Sequence, residues 1–589
     1  MINLKRGNIL MNYKEKYNFW VASEFIDEET TSELLSIKDD EKEIEDRFYK
    51  ELDFGTAGLR GIIGAGTNRM NKYVVGKATQ GLANFILKQP EYTKDKGVAI
   101  SYDCRHKSIE FSKQAALVLN ANGIKTYIFK ELRPTPELSY AIRELGCISG
   151  IMVTASHNPP KYNGYKAYWL DGCQVSAPRD REIINEVNKI NDYSIVKTMD
   201  EQAAKDAGLY NEILEEIDDK YMTEVKKQSL NGEIVKKVAD NLNIIFTPLN
   251  GTGNKPVRRI LLEIGFKNVF VVPEQENPDP DFTTVEYPNP EDPKAFTLSL
   301  ELAKKKNADV IIGTDPDADR LGVVVKNKNG EYEVLSGNMT GVILAEYILA
   351  ERTKKGLLPK NSVVISTIVS TEMTRAITEC YGAKLINVLT GFKFIGGKVE
   401  ELEENKSGEF LYGFEESFGY LAGKHGRDKD AVVSAMLICE IAALCKEKGI
   451  TLYEYIQELY KKYGFYKETT VNVKHEGKEG EEKIKRIMEA LRDGDIKNIA
   501  GLSVLRVNDY GKQTCYELKT GKLYDNKEFP VSNVLKYELA ENSWVCVRPS
   551  GTEPKIKIYF GVKGESEEKA LEMIEKMKVE FMLEIEKIK

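Results

Sequence analysis

Short apolar runs and polar-faced stretches of helix length take turns along the first three quarters of the chain. Residues 98–102 and 126–129 are compact apolar runs of strand length, 112–120 and 136–145 are helical, and 151–153 is a further buried strand. The alternation returns with strands at 243–247, 268–272 and 309–313 around helices at 256–264 and 294–306. A third round has helices at 340–351, 372–380 and 430–446 and strands at 362–367, 384–388 and 410–412. Strand–helix alternation of this kind predicts parallel strands layered with helices. Past about residue 460 the texture changes. Residues 466–473 alternate as a strand, 478–491 form an amphipathic helix, 544–548 and 555–562 are strands, and 565–588 is a terminal helix. Short strands with helices set apart suggest a smaller α+β domain.

A chain of 589 residues is too long for one core. The expected fold class is α/β: three similar α/β domains with mixed, mainly parallel sheets, plus a C-terminal α+β domain, around a central cleft. The predicted boundaries are a helical, charged and solvated entry segment over 1–50, then domains over 51–213, 214–326, 327–460 and 461–589. Linkers are expected near 190–215, 275–293, 326–333 and 447–465.

Composition narrows the function classes. The chain is 42% apolar and 30% charged, with a net charge of −8 and both signs interspersed. No basic stripe invites nucleic acid, and no apolar run approaches the roughly 18 residues of a membrane span. Lys5 and Arg6 are not followed by a sustained apolar segment, so no signal peptide is expected, and Met11 is a second candidate start. Eight scattered cysteines without a Cys-x-x-Cys pair, and four histidines, argue against zinc or a disulfide framework and for a reducing cytoplasm.

Chemistry concentrates in loops that follow strands. Residues 154–166, TASHNPPKYNGYK, put Ser156 and His157 just past a buried strand, and two prolines and an Asn-Gly pair predict an irregular loop. Nucleophiles often sit at such positions. Asp315, Asp317 and Asp319, with Arg320, follow the apolar run 310–312. Three alternate carboxylates repel unless a cation sits among them, and hard oxygen ligands suit Mg²⁺. An EF-hand is excluded, because its sixth position would be Arg320 and its twelfth Lys326. An aspartyl-phosphate phosphatase of the dehalogenase type is a rival reading of the same run. No Walker-type loop occurs, since no Gly-Lys pair is followed by Ser or Thr.

Two stretches suit anions. Residues 548–554 offer Arg548, the Ser550 and Thr552 hydroxyls and a backbone freed by Gly551, and residues 54–61 set Arg60 among three glycines. Two others suit sugar hydroxyls: 413–419, with Glu415 and Ser417, and the loop Thr390, Gly391, Phe392 and Lys393. Six such loops spread over four candidate domains point to one cleft at the carboxyl ends of the sheets.

Taken in order, the Ser156 loop, the Asp315–Arg320 loop, the Glu415-x-Ser417 loop and the Arg548-Pro-Ser-Gly-Thr loop resemble the four signatures of the α-D-phosphohexomutase superfamily. The resemblance runs from about 50 to 575. Residues 54–60, 390–394 and 427–430 are most similar to its long bacterial α-phosphoglucomutase and phosphopentomutase branch. It implies a cytoplasmic isomerase that interconverts glucose 1-phosphate and glucose 6-phosphate through a phosphoserine and glucose 1,6-bisphosphate, which also serves as activator. Ser156 would carry the phosphate, and one Mg²⁺ would be held by Asp315, Asp317, Asp319 and a phosphoserine oxygen. Arg60, His157 and Lys166 would lie near the transferring group, with Lys166 and Arg60 the candidates for proton transfer and charge stabilisation and the proton carrier among the three left open. Glu415, Ser417 and the loop of Thr390, Gly391 and Lys393 would hold the sugar. Arg548, Ser550, Gly551 and Thr552, with Arg320, would hold the phosphosugar. The implied partners are small sugar phosphates, with no nucleic acid or membrane, and a monomer or small homo-oligomer. Alternatives with the same residues are a phosphopentomutase or phosphomannomutase, a glucose 1,6-bisphosphate synthase, and a non-catalytic metal-dependent sugar-phosphate binder.

Overall fold

All five residues of the strand Ser149–Val153 are buried, as are all five of Val98–Tyr102. Strands apolar on both faces need neighbours on each side and cover above and below. In the computed structural model, which describes residues 11–55, 58–474, 477–550 and 555–588, these two strands lie side by side in a six-stranded sheet. Its order is Gly58–Ile62, Tyr162–Trp169, Ser149–Val153, Val98–Tyr102, Thr126–Phe129, Tyr210–Ile213. The last four run parallel, and the first two are antiparallel additions. A second sheet sets Leu321–Lys326, Val310–Thr314, Asn243–Thr247 and Asn268–Val271 in that order, with the last three parallel. The first sheet, and the second as far as Val324, belong to one compact unit, residues up to Val324 together with 396–401 and 419–444.

The other unit comprises 325–395, 402–418 and 445–589. Its parallel strands Lys384–Val388, Ser362–Thr367 and Glu409–Glu415 lie side by side. Its C-terminal part is an antiparallel sheet ordered Phe465–Lys474, Lys555–Gly564, Trp544–Pro549, Leu535–Leu539, Leu502–Asp509, Thr514–Glu517, Lys522–Asp525. Ile487, Met488 and Leu491 of one helix and Ile574, Met577 and Phe581 of the last helix share its apolar core. The expected fold class, three α/β sheets and a distinct C-terminal domain, is what the chain adopts.

Several local expectations are corrected. The segment before residue 52 is not merely solvated. Its helices Tyr13–Ala22, Glu28–Ser36 and Glu41–Phe48 bury Trp20, Leu34 and Phe48, and Trp20 packs edge-on against Phe48, Tyr73 and Tyr193. The stretch 447–465 is no linker but holds the helix Leu452–Tyr463, started by a reciprocal Thr451–Glu454 capping box. The stretch 190–215 contains the edge strand Tyr210–Ile213. All eight cysteines are free thiols. Among the described residues no helix is long and apolar enough to cross a membrane.

One buried carboxyl in the second unit makes a pH prediction. Glu468, half-buried on Phe465–Lys474, has its pKa raised to about 7 by burial, against the lowering effect of Thr371, Lys467 and Asn338. The folded state keeps a proton that the unfolded chain loses near pH 4.3. This carboxyl therefore contributes fully below that pH, and its contribution is lost as pH rises through 7. Glu468→Gln, which mimics the protonated acid, is expected to stabilise this unit by roughly 1–3 kcal/mol more at pH 8 than at pH 5. Urea unfolding at the two pH values measures the difference.

Candidate active site

Ser156 follows the strand Ser149–Val153 by three residues and stands at φ 51°, a left-handed conformation that costs a non-glycine residue about 1–3 kcal/mol. Neighbours hold it there. Its N–H donates to Thr154 Oγ1 at 2.8 Å. The buried Arg105 guanidinium donates to four carbonyls of the same loop: those of Ser156 and Asn158 at 2.5 Å, Pro159 at 2.9 Å and Tyr162 at 3.1 Å. Arg105 is itself paired with buried Asp103 at 3.2 Å. The strained turn aims the hydroxyl inward, where Ser156 Oγ donates to Asp315 Oδ2 at 2.8 Å and lies 3.1 Å from His157 Nδ1.

The second loop leaves the fully buried strand Val310–Thr314. Asp315, Asp317 and Asp319 are all buried, and each can offer an oxygen within 4.8 Å of the others. Asp315 has both oxygens occupied by protein donors, and Asp317 and Asp319 have one each. Asp315 Oδ1 accepts the N–H groups of Asp319 and Arg320 at 3.1 and 3.0 Å. Asp317 Oδ2 accepts from Lys166 Nζ at 2.7 Å. Asp319 Oδ2 faces Lys429 Nζ at 3.0 Å and Lys166 Nζ at 3.6 Å. The opposite oxygens, Asp317 Oδ1 and Asp319 Oδ1, are buried with no hydrogen-bond partner. Bare buried carboxylate oxygens are costly without a counter-charge, so the trio fits a hard divalent cation.

The electrostatics agree. Burial, with the charges of Asp317 and Asp319 added, pushes Asp315 well above the usual carboxylate range. Burial also works to raise Asp317, but the Lys166 ammonium outweighs it and holds that carboxyl below its ordinary value. Burial, then the charges of Arg320 and Arg60, keeps His157 well below its ordinary pKa, so its ring is neutral.

Lys166 was expected on an irregular loop. It lies instead on the strand Tyr162–Trp169, which begins inside the 154–166 stretch because its aromatic residues pair with Ser149–Val153. Arg60 lies on the paired strand Gly58–Ile62 rather than on free glycine-rich backbone, and its Nη1 reaches Asn158 Oδ1 at 3.4 Å. Arg320 is ion-paired with Glu291. The structure thus brings together Ser156, His157, Lys166 and the three aspartates, with Arg60 beside them. Sequence reasoning passed over Arg105, and it used Lys429 only within the 427–430 run that marks the family branch, without giving it a role in the site. Lys429 is shared between Asp319 and Asp428, each at 3.0 Å, and Asp428 accepts in turn from Tyr168. The lysine inside the 427–430 run was the available signal.

In the second unit, Glu415 ends the strand Glu409–Glu415, and its Oε1 accepts the Gly391 N–H at 2.7 Å. The Thr390–Gly391 turn and the Glu415 loop are therefore one piece. Gly391 has φ 121°, which suits glycine. Lys393 is not on a loop but in the first turn of the helix Phe392–Asn405, with its ammonium 5.5 Å from the Phe394 ring. Ser417 is half-buried two residues past Glu415. Burial and the adjacent Glu415 charge raise Glu416 to about 7, against the lowering pull of its Thr367 hydrogen bond and of the Arg548 charge. Ser550 donates its N–H to the Lys555 carbonyl at 2.8 Å. Gly551 and Thr552 lie outside the described residues.

Four family models match the chain in order: Phosphoglucomutase/phosphomannomutase alpha/beta/alpha domain I over residues 51–194, domain II over 219–330, domain III over 336–463, and the C-terminal domain over 468–577. A curated phosphoglucomutase of Staphylococcus haemolyticus is 35% identical over 522 residues, covering 88% of this chain and 91% of its own. One of Staphylococcus aureus is 36% identical over 526 residues, covering 89% and 92%. Among solved structures, a putative phosphomannomutase of Thermus thermophilus superposes with TM-score 0.66 at 21% identity, covering 91% of this chain and 99% of that one. The open form of the Paramecium phosphoglucomutase parafusin superposes with TM-score 0.67 at 18% identity, covering 92% and 95%. At these identities the structural likeness speaks for the fold.

Proposed function

Because the chain belongs to the phosphoglucomutase/phosphomannomutase family, we propose that it interconverts α-D-glucose 1-phosphate and glucose 6-phosphate with Ser156 as phosphate carrier. The observation that carries this reading is the Ser156 hydroxyl, 2.8 Å from Asp315 Oδ2 at the edge of a buried carboxylate trio with bare oxygens. The curated relatives that cover most of the chain are phosphoglucomutases.

Asp315, Asp317 and Asp319 would hold one Mg²⁺ with an oxygen of the phosphoserine, which when bound polarises the phosphoryl group and neutralises charge during transfer. In the first half-reaction the P–O bond to Ser156 Oγ breaks. A new P–O bond forms to the free hydroxyl of glucose 1-phosphate, whose proton ends on the released Ser156 Oγ, and glucose 1,6-bisphosphate results. The intermediate turns end for end. In the second half the Ser156 hydroxyl attacks the phosphate on C1, the P–O bond to the C1 oxygen breaks, and the proton lost by the serine ends on that oxygen as glucose 6-phosphate leaves. His157 Nδ1, 3.1 Å from Ser156 Oγ, takes the serine proton. The Lys166 ammonium and the Arg60 guanidinium stabilise negative charge on the phosphoryl oxygens.

Glu415 and Ser417, with the turn of Thr390 and Gly391 and with Lys393, hold the sugar hydroxyls. Arg548, Ser550, Gly551 and Thr552 grip the phosphate that is not reacting, and Arg320 is a separate candidate for substrate binding. Added glucose 1,6-bisphosphate rephosphorylates any Ser156 that has lost its phosphate, and so activates. Eight free thiols suit a reducing cytoplasm.

A substrate panel tests the assignment. Glucose 1-phosphate is expected to exceed mannose 1-phosphate and ribose 1-phosphate in kcat/KM by about tenfold or more. A preference for the pentose would overturn the choice of sugar. Net accumulation of bisphosphate from a glycolytic donor would mark a synthase instead.

A further inference from the structure

Besides the aspartate loop, its lysines and Ser156, one more side-chain donor reaches the trio among the described residues. Thr135 is the first residue of the helix Thr135–Glu144 and is fully buried. The first N–H groups of a helix lack intrahelical acceptors. The helix has no side-chain cap, and the Thr135 N–H donates to the Asp317 carbonyl oxygen at 3.0 Å. Its hydroxyl, Oγ1, donates to the carboxylate of the same residue, Asp317 Oδ2, also at 3.0 Å.

One residue therefore grips Asp317 by main chain and side chain together. Oδ2 then has two donors, Thr135 Oγ1 and Lys166 Nζ at 2.7 Å. Oδ1 has no hydrogen-bond partner and is buried. A lysine ammonium on a flexible stem neutralises a carboxylate but does little to fix its plane. A hydroxyl anchored at a helix start fixes that plane, because both ends of Asp317 are then tied to the same residue.

Resting on the metal reading of the trio, we propose that Thr135 is a positioning residue that turns Asp317 so that Oδ1, not Oδ2, faces the cation. The helix of the six-stranded sheet's domain thus sets a ligand on the neighbouring sheet's loop. Groups that orient metal ligands without touching the metal typically carry 10–100-fold of affinity.

The test uses chelator-stripped full-length protein titrated with MgCl₂ by calorimetry, beside the parent. Thr135→Val keeps the shape and removes the hydroxyl, Thr135→Ala removes it with less demand on packing, and Thr135→Ser keeps it. Valine and alanine are expected to weaken Mg²⁺ binding by about 10–100-fold, with serine within about threefold of the parent. Melting of the metal-free proteins separates this from a purely structural role, which would lower all melts and leave affinity unchanged. If valine disturbs folding, alanine carries the comparison. Parental Mg²⁺ affinity in a folded, hydroxyl-free variant overturns the proposal alone. A parent that binds no Mg²⁺ overturns the metal reading with it.

Discussion

Ser156→Ala is expected to lower mutase kcat by about 10⁴-fold or more while leaving the fold and the binding of glucose 1-phosphate in place. The hydroxyl is the one group that can form and break the P–O bond in both half-reactions, so its removal leaves nothing to carry the phosphate between them. Its backbone is already held by Arg105 and Thr154, and alanine asks for no new space. Intact mass adds a second readout. The parent is expected to carry an excess of one phosphate that Ser156→Ala lacks. Calorimetry with glucose 1-phosphate separates lost chemistry from lost binding. Turnover within tenfold of the parent would remove Ser156 from its role, and the neighbouring hydroxyl of Thr154, itself bonded to Asp103 at 2.6 Å, would be the next to test.

What could be read from the chain and what could not divides along contact range. Ser156 and the Asp315–Asp319 run were legible because local sequence carries their chemistry: a hydroxyl past a buried strand, and acids too close together to stay charged without a cation. The strand–helix alternation was legible for a similar reason, since both periods are local. Lys166 was read as a residue on a loop because Asn163 and Gly164 are turn formers. The pairing that makes Tyr162–Trp169 a strand comes from Gly58–Ile62 and Ser149–Val153, distant in sequence. The helix Leu452–Tyr463 was missed although its Thr451 and Glu454 form a capping box. Arg105 and Thr135 carry no motif. Their meaning lies in four loop carbonyls and in a carboxylate 182 residues away.

Lys166→Met tests how the trio is balanced. The ammonium is 12% exposed and sits 2.7 Å from Asp317 Oδ2 and 3.6 Å from Asp319 Oδ2. Removing one partner of a buried pair leaves uncompensated charge, so the metal-free variant is expected to be destabilised by about 3–5 kcal/mol. A cation can replace the missing charge. Mg²⁺ should therefore raise the melting temperature of Lys166→Met by more than it raises the parent's, and calorimetry should find Mg²⁺ bound at least as tightly as by the parent. That is opposite in sign to the hydroxyl-free Thr135 variants, although both changes strip a donor from the same Asp317 oxygen, because one removes charge and the other removes orientation. Even with Mg²⁺ saturating, kcat is expected to fall by about 10²–10⁴-fold, the scale of a proton-transfer or charge-stabilising group beside the transferring phosphoryl. A variant with parental kcat at saturating Mg²⁺ would mean that Lys166 serves only to neutralise the carboxylates before the metal arrives.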